Sequence, residues 1–230
     1  MFSLFTSFLS YTQEEYKRIA IIPFERFSFE SAHEMDSIAS CNNLSSAEEV
    51  YESYIREIAL HISDSSNLTF FILSESDLVK IRTSLPKEYK YKPISHFGVD
   101  IEPLIENGLL NQISESMKVD AFLFLTKYKI DFKLLSTRKA YGGSKYLNWS
   151  THNLDYELYN LEGDLMALAN KFSLRPKNPS DDTYSCRGTI LDGMFNSYSK
   201  IGKDVEMKVK KYTQKKKPIY KIKTKKSSKH

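Results

Sequence analysis

Cysteine, tryptophan, glycine and long apolar runs are all scarce in this chain, and each scarcity removes a class of protein. The two cysteines, Cys41 and Cys186, lie far apart, so there is no C-x-x-C redox pair, no zinc-ligand spacing and no disulfide framework. One long-range disulfide and two buried thiols both remain open. With 8 glycines and 7 prolines in 230 residues, neither a collagenous nor a low-complexity chain fits. No stretch is long and apolar enough to span a bilayer. The single tryptophan, Trp149, reads as packing and not as a ligand platform.

Acidic residues are missing from one region only. Residues 208–230 hold 11 lysines and no Asp or Glu, so residues 1–207 carry a formal charge of −7 under an overall +4. A nucleic-acid-binding domain usually places basic charge on its folded body as well, which this body lacks on average. What the chain does have is apolar mass: 41% hydrophobic and 13% aromatic residues, with 15 Tyr and 14 Phe, enough to build a core.

Residues 1–16 begin with "MFSLFTSFLSY", apolar and uncharged. It resembles the apolar centre of a signal peptide but lacks the early Lys or Arg and an A-x-A site; a short segment packed on the body is the alternative. From residue 17 the pattern becomes regular. "RIAIIPF" (18–24) is a continuous apolar run ended by Pro23, the mark of a strand buried on both faces. Ser45 with Glu48 reads as a capping box before a helix carrying Val50, Tyr51, Tyr54, Ile55, Ile58 and Ile62 at helical spacing. "LTFFIL" (68–73) is a second strand, and Ser74 with Asp77 opens a short helix stopped by Pro86.

Asp100 is placed to cap a helix over 101–118, with Gly108 its weak point. "VDAFLFLTKYKIDFKLL" (119–135) is a strand, continuous at first and alternating afterwards. Gly142 and Gly143 supply a hairpin turn, and "NLEGD" (160–164) supplies the next, which makes an antiparallel meander. A last helix starts near Asp181 and carries Ile190, Leu191, Met194, Phe195, Tyr198 and Ile201. Beyond Gly202 the alternation of Val205, Met207 and Val209 with charged residues predicts a strand over 204–212, pairing with 218–225 as a hairpin.

The expected fold is therefore mixed α/β: a sheet of about five strands covered by helices, in the order β-α-β-α-α-β-β-β-α, with a Lys-rich, β-like extension at the end. Residues 17–201 form the domain and 202–230 the extension. No catalytic motif stands out. His33-Glu34 lacks the second His of H-E-x-x-H, "AYGGSKY" (140–146) lies between two strands where a phosphate-binding loop needs a strand and a helix, and the adjacent Asp181 and Asp182 suit a helix cap. No catalytic, cofactor or metal residue is assigned. The candidates for contact with an anionic partner are Lys215, Lys216, Lys217, Lys221 and Lys223.

Three stretches carry a family likeness. "KRIAIIPF" (17–24), "LLNQISESMKVDAFLFLTKY" (109–128) with its Val119-Asp120-Ala121 turn, and "LDYELYNLEGDLM" (154–166) resemble the TolB N-terminal-domain-like superfamily of bacterial envelope proteins. Lys118 stands where that superfamily commonly has glycine, and no lipobox cysteine lies near the N-terminus. The resemblance implies a non-catalytic envelope or periplasmic adaptor that binds another envelope protein or a second copy of itself, and it supplies no catalytic residues. The alternative is a cytoplasmic nucleic-acid-associated protein that uses its lysine-rich end.

Overall fold

The computed structural model describes residues 16–23, 29–31, 34–86, 90–92, 96–138, 142, 144–174, 194–215 and 220–221. For residues 90–92, 96–97, 132–138, 144–150, 195–196 and 220–221 only the backbone is described. Along the chain these residues form β1 (Arg18–Ile22), β2 (Phe29–Ser31), α1 (Met35–Cys41), α2 (Ala47–His61), β3 (Thr69–Ile72), α3 (Glu75–Ser84), β4 (Lys90–Lys92) and β5 (His96–Gly98). There follow α4 (Glu102–Glu106), α5 (Leu109–Met117), β6 (Ala121–Arg138), β7 (Ser144–Asn160), β8 (Asp164–Leu174), α6 (Phe195–Lys215) and β9 (Tyr220–Lys221).

The fold is mixed α/β, as the alternation of strands and helices predicts. A seven-stranded sheet runs β3-β1-β6-β7-β8-β9, with β2 paired to β6 beyond the end of β1, and β4 and β5 make a separate ribbon. β1 is parallel to both β3 and β6, while β6, β7, β8 and β9 are antiparallel in turn. β1 is thus an inner strand, and Ile19 and Ile21 enter the core on one face while Ala20 and Ile22 enter the core on the other.

Helices cover both faces. α1, α2 and α6 pack over the face of Ile19, Leu123, Leu125, Tyr156 and Leu158, while α3, α4 and α5 pack over the face of Ala20, Phe122, Phe124, Tyr159 and Leu165. β6 shows why its sequence changes period: Ala121 through Thr126 are all buried between two helical layers, and beyond them burial alternates. A bulge at Thr126 shifts the register between Leu125 and Lys127, so Tyr128 and Ile130 return to the face that Leu123 and Leu125 occupy.

Local signals set the element ends with small offsets. Ser46, one residue after the expected cap, accepts the amide of Glu49, and Glu49 returns a carboxylate to the amide of Ser45. Ser74 caps α3 through the amide of Asp77, as expected. The helix expected over 101–118 is two helices: Gly108 adopts φ +69° between α4 and α5, and Asp100 accepts the amide of Glu102, with Ile101 at the cap position. Gly142 and Gly163 take positive φ at the two hairpin turns. Lys118, at the end of α5, is left-handed at φ +55°.

One expectation fails outright. Residues 204–212 are helix, not strand: α6 runs through Gly202 to Lys215. Tyr198, Ile201, Val205 and Val209 are buried at helical steps, so Val205 and Val209 belong to the period of the preceding helix and not to a new alternation. Gly202 is tolerated inside the helix because a Cβ there would collide with the carbonyl oxygen of Ile62 at the end of α2. The body therefore continues past residue 201. Of the expected second hairpin strand, 218–225, the described residues are Tyr220 and Lys221, which are strand and pair with Asp164 and Leu165 on the edge of β8. The first part of the last helix, 181–193, and the tail 222–230 lie outside the described residues.

Candidate functional site

Besides its ladders to β3 and β6, the start of β1 is held by one carboxylate. Asp120 Oδ2 accepts the amides of Lys17 at 3.0 Å and Arg18 at 2.9 Å, while Arg18 Nε donates to the carbonyl of Lys118 at 2.7 Å. The Val119-Asp120-Ala121 turn is thus the clasp between β1 and β6, which gives its aspartate a structural task.

Four polar clusters lie within the body. In the first, Tyr128 is fully buried, its hydroxyl 2.7 Å from His152 Nδ1 and 3.2 Å from the Tyr198 hydroxyl, with Phe29 stacked on its ring and Tyr54 tilted against it. Burial pushes the phenols of Tyr54, Tyr128 and Tyr198 upward, so they stay neutral. In the second, Tyr156 donates to Asp204 Oδ2, and Lys208 Nζ donates to Asp204 at 2.7 Å, Tyr156 at 2.9 Å and the carbonyl of Leu168 at 2.7 Å. In the third, buried Glu157 accepts the Tyr159 hydroxyl at 2.5 Å, and Gly98 lies so close that a Cβ there would strike the carboxylate. In the fourth, Asp164 Oδ2 accepts from Tyr212 at 3.3 Å and its backbone amide donates to Asn160, leaving Asp164 Oδ1 buried without a hydrogen bond.

Three of these clusters fasten α6 to the sheet, the first through Tyr198 and Tyr128 of β6, and a surface tie joins it to the turn before β3. Asp204, Lys208 and Tyr212 bind β7 and β8, and Glu206 accepts both the backbone amide and the side-chain amide of Asn67. Lys210 at 2.6 Å and Asn67 hold the Glu206 carboxyl down to about 2.

With α6 fixed this way, its other face is presented outward. Lys200, Lys203, Met207, Lys210, Lys211, Gln214 and Lys215 are all exposed, and their steps of three and four place them along one side of the helix. The stripe contains no acid. Of the residues expected to meet an anionic partner, Lys215 ends this stripe, Lys221 stands in β9 with its side chain outside the described residues, and Lys216, Lys217 and Lys223 lie outside them. The strand expected over 204–212 separated Lys210 and Lys211 from Lys200 and Lys203; the helical spacing of the four was the signal that could have joined them.

Among the described residues no group of three or more His, Cys, Asp or Glu side chains could hold a metal ion. His61 pairs with Asp64 and Glu57, His152 is in the core, and His33, Asp181 and Asp182 lie outside the described residues, as do the side chains of His96 and Trp149. No helix among them is long and apolar enough to cross a membrane. Cys41 is disulfide-bonded; Cys186 lies outside the described residues.

No protein-family model matches the chain, and no curated protein matches it. Solved structures similar to it include a hypothetical protein from Chlamydia trachomatis, 12% identical, covering 85% of this chain and 98% of that one with a TM-score of 0.40. A neuraminyllactose-binding hemagglutinin homologue from Helicobacter pylori is also 12% identical, covering 89% of this chain and 92% of that one with a TM-score of 0.42.

Proposed function

We propose that this protein is a non-catalytic module of the bacterial cell envelope, of the TolB N-terminal-domain-like type, that works by binding another envelope protein. The observation that carries the reading is the free edge of the sheet. β3 ends the strand order and has only β1 as a partner among the described residues, and Ile72 at its end and Val79 on the following helix are 43% and 48% exposed. An open strand edge flanked by exposed apolar side chains suits the addition of a partner's strand. The disulfide at Cys41 supports the location, because structural disulfides persist in oxidising compartments. A bond from Cys41 to Cys186, the two cysteines of the chain, fits a periplasmic protein.

The polar clusters accord with a binding role. Tyr128 and Tyr198 are spent on each other and on His152, and Tyr156, Asp204 and Lys208 on fastening a helix. The test is fractionation of the native cell followed by crosslinking of the wild type and of an Ile72→Lys variant. The expected result is recovery with the envelope fraction, both cysteines oxidised, and a crosslinked partner lost in the variant. A cytoplasmic protein with two free thiols would overturn the location, and an Ile72→Lys variant that keeps its partner would overturn the role of the edge.

A further inference from the structure

We infer that the outward face of α6 docks the protein on an anionic phospholipid bilayer. Five lysines, Lys200, Lys203, Lys210, Lys211 and Lys215, share that face with exposed Met207 and Gln214, along a helix length of about 22 Å. Lys210 is the one of the five held by a carboxylate, Glu206; among the described residues no ion pair engages Lys200, Lys203, Lys211 or Lys215. The two acids of this part of the helix, Asp204 and Glu206, are spent on Lys208 and Lys210.

The opposite side of α6 is locked into the core by Tyr198, Ile201, Val205 and Val209, so the helix cannot roll its apolar face into a membrane. It presents a row of lysines with Met207 at its centre. A flat anionic surface meets such a row along its whole length, and the −7 charge of residues 1–207 would turn the rest of the molecule away from it.

Three features favour lipid over nucleic acid. The stripe is lysine without arginine, whereas recognition of nucleic-acid phosphates and bases draws heavily on arginine. It exposes no aromatic ring on which a base could stack. It does expose an apolar side chain at its centre, Met207, 47% accessible, which headgroups tolerate and a phosphate backbone does not reward.

The test mixes the full-length protein with vesicles of phosphatidylcholine alone, or of phosphatidylcholine and phosphatidylglycerol in equal parts, and measures co-sedimentation. Binding should require phosphatidylglycerol and weaken steeply with salt. Each lysine near the surface contributes about fivefold. A variant with Lys200→Gln, Lys203→Gln, Lys211→Gln and Lys215→Gln should therefore lose more than about 100-fold while its circular dichroism is unchanged. Lys80→Gln, on α3 across the sheet, should bind like the wild type. Equal binding to both vesicle types, or undiminished binding by the fourfold variant, would overturn the proposal, the latter moving attachment to residues 216–230. Tighter binding to duplex DNA than to phosphatidylglycerol vesicles at the same salt would overturn it in favour of nucleic acid.

Discussion

At the scale of single residues, the chain shows three places where one side chain or its absence governs packing. Lys118 ends α5 in a left-handed conformation that costs a non-glycine residue about 1 kcal/mol. Lys118→Gly removes that cost but adds entropy to the unfolded chain, so a net stabilisation of up to about 0.5–1 kcal/mol is expected, measured by urea unfolding. Gly202 is the opposite case, since its missing Cβ is what lets α6 pass the carbonyl of Ile62. Gly202→Ala should destabilise by about 1–3 kcal/mol despite the better helix propensity of alanine, and unchanged stability would show that the two helices separate easily.

Glu206 is the pH-sensitive member of this set. Its carboxyl is depressed below the unfolded value, so its stabilising effect is present above about pH 4.5 and is lost as pH falls towards about 2. The pair sits on the helix surface, so the effect is at most about 1 kcal/mol. The stability gap between wild type and Glu206→Gln should be largest near neutral pH and should close on acidification, which a denaturant series at several pH values reports.

Elements differ in how openly the sequence announces them. β1 and the first third of β6 read as apolar runs because helices cover both faces, and the change of period in β6 marks where the double cover ends. Ser74 and the pair of Ser46 and Glu49 advertise helix starts through their own hydrogen bonds, and the error of one residue at Ser45 arises because adjacent serines offer the same chemistry. The sequence of α6 reads as a helix followed by a strand because glycine commonly ends helices and because Val205, Met207 and Val209 satisfy a period of two as well as part of a period of four. Limited trypsin digestion separates the two readings. With α6 intact, the lysines at 200, 203, 208, 210 and 211 should resist cleavage, and early products should end at or beyond Lys215; cleavage at Lys203 would return the region to an extended tail.

For the whole molecule, the disulfide and the basic helix act on opposite ends of its behaviour. A bond from Cys41 to Cys186 would close most of the chain into one loop, and its reduction should lower stability by about 2–4 kcal/mol, seen as a fall in melting temperature with reductant. The charge division between body and C-terminal end needs no structure to be seen, and neither do the mixed α/β class, the meander or the inner strand β1. Those follow from composition and from periods of two and three to four, which are local properties of the chain. Which lysines share one surface was decided only by tertiary packing. The core had to claim Tyr198, Ile201, Val205 and Val209, and Asp204, Glu206, Lys208 and Tyr212 had to be tied to distant partners, before the rest of α6 could become a single basic face.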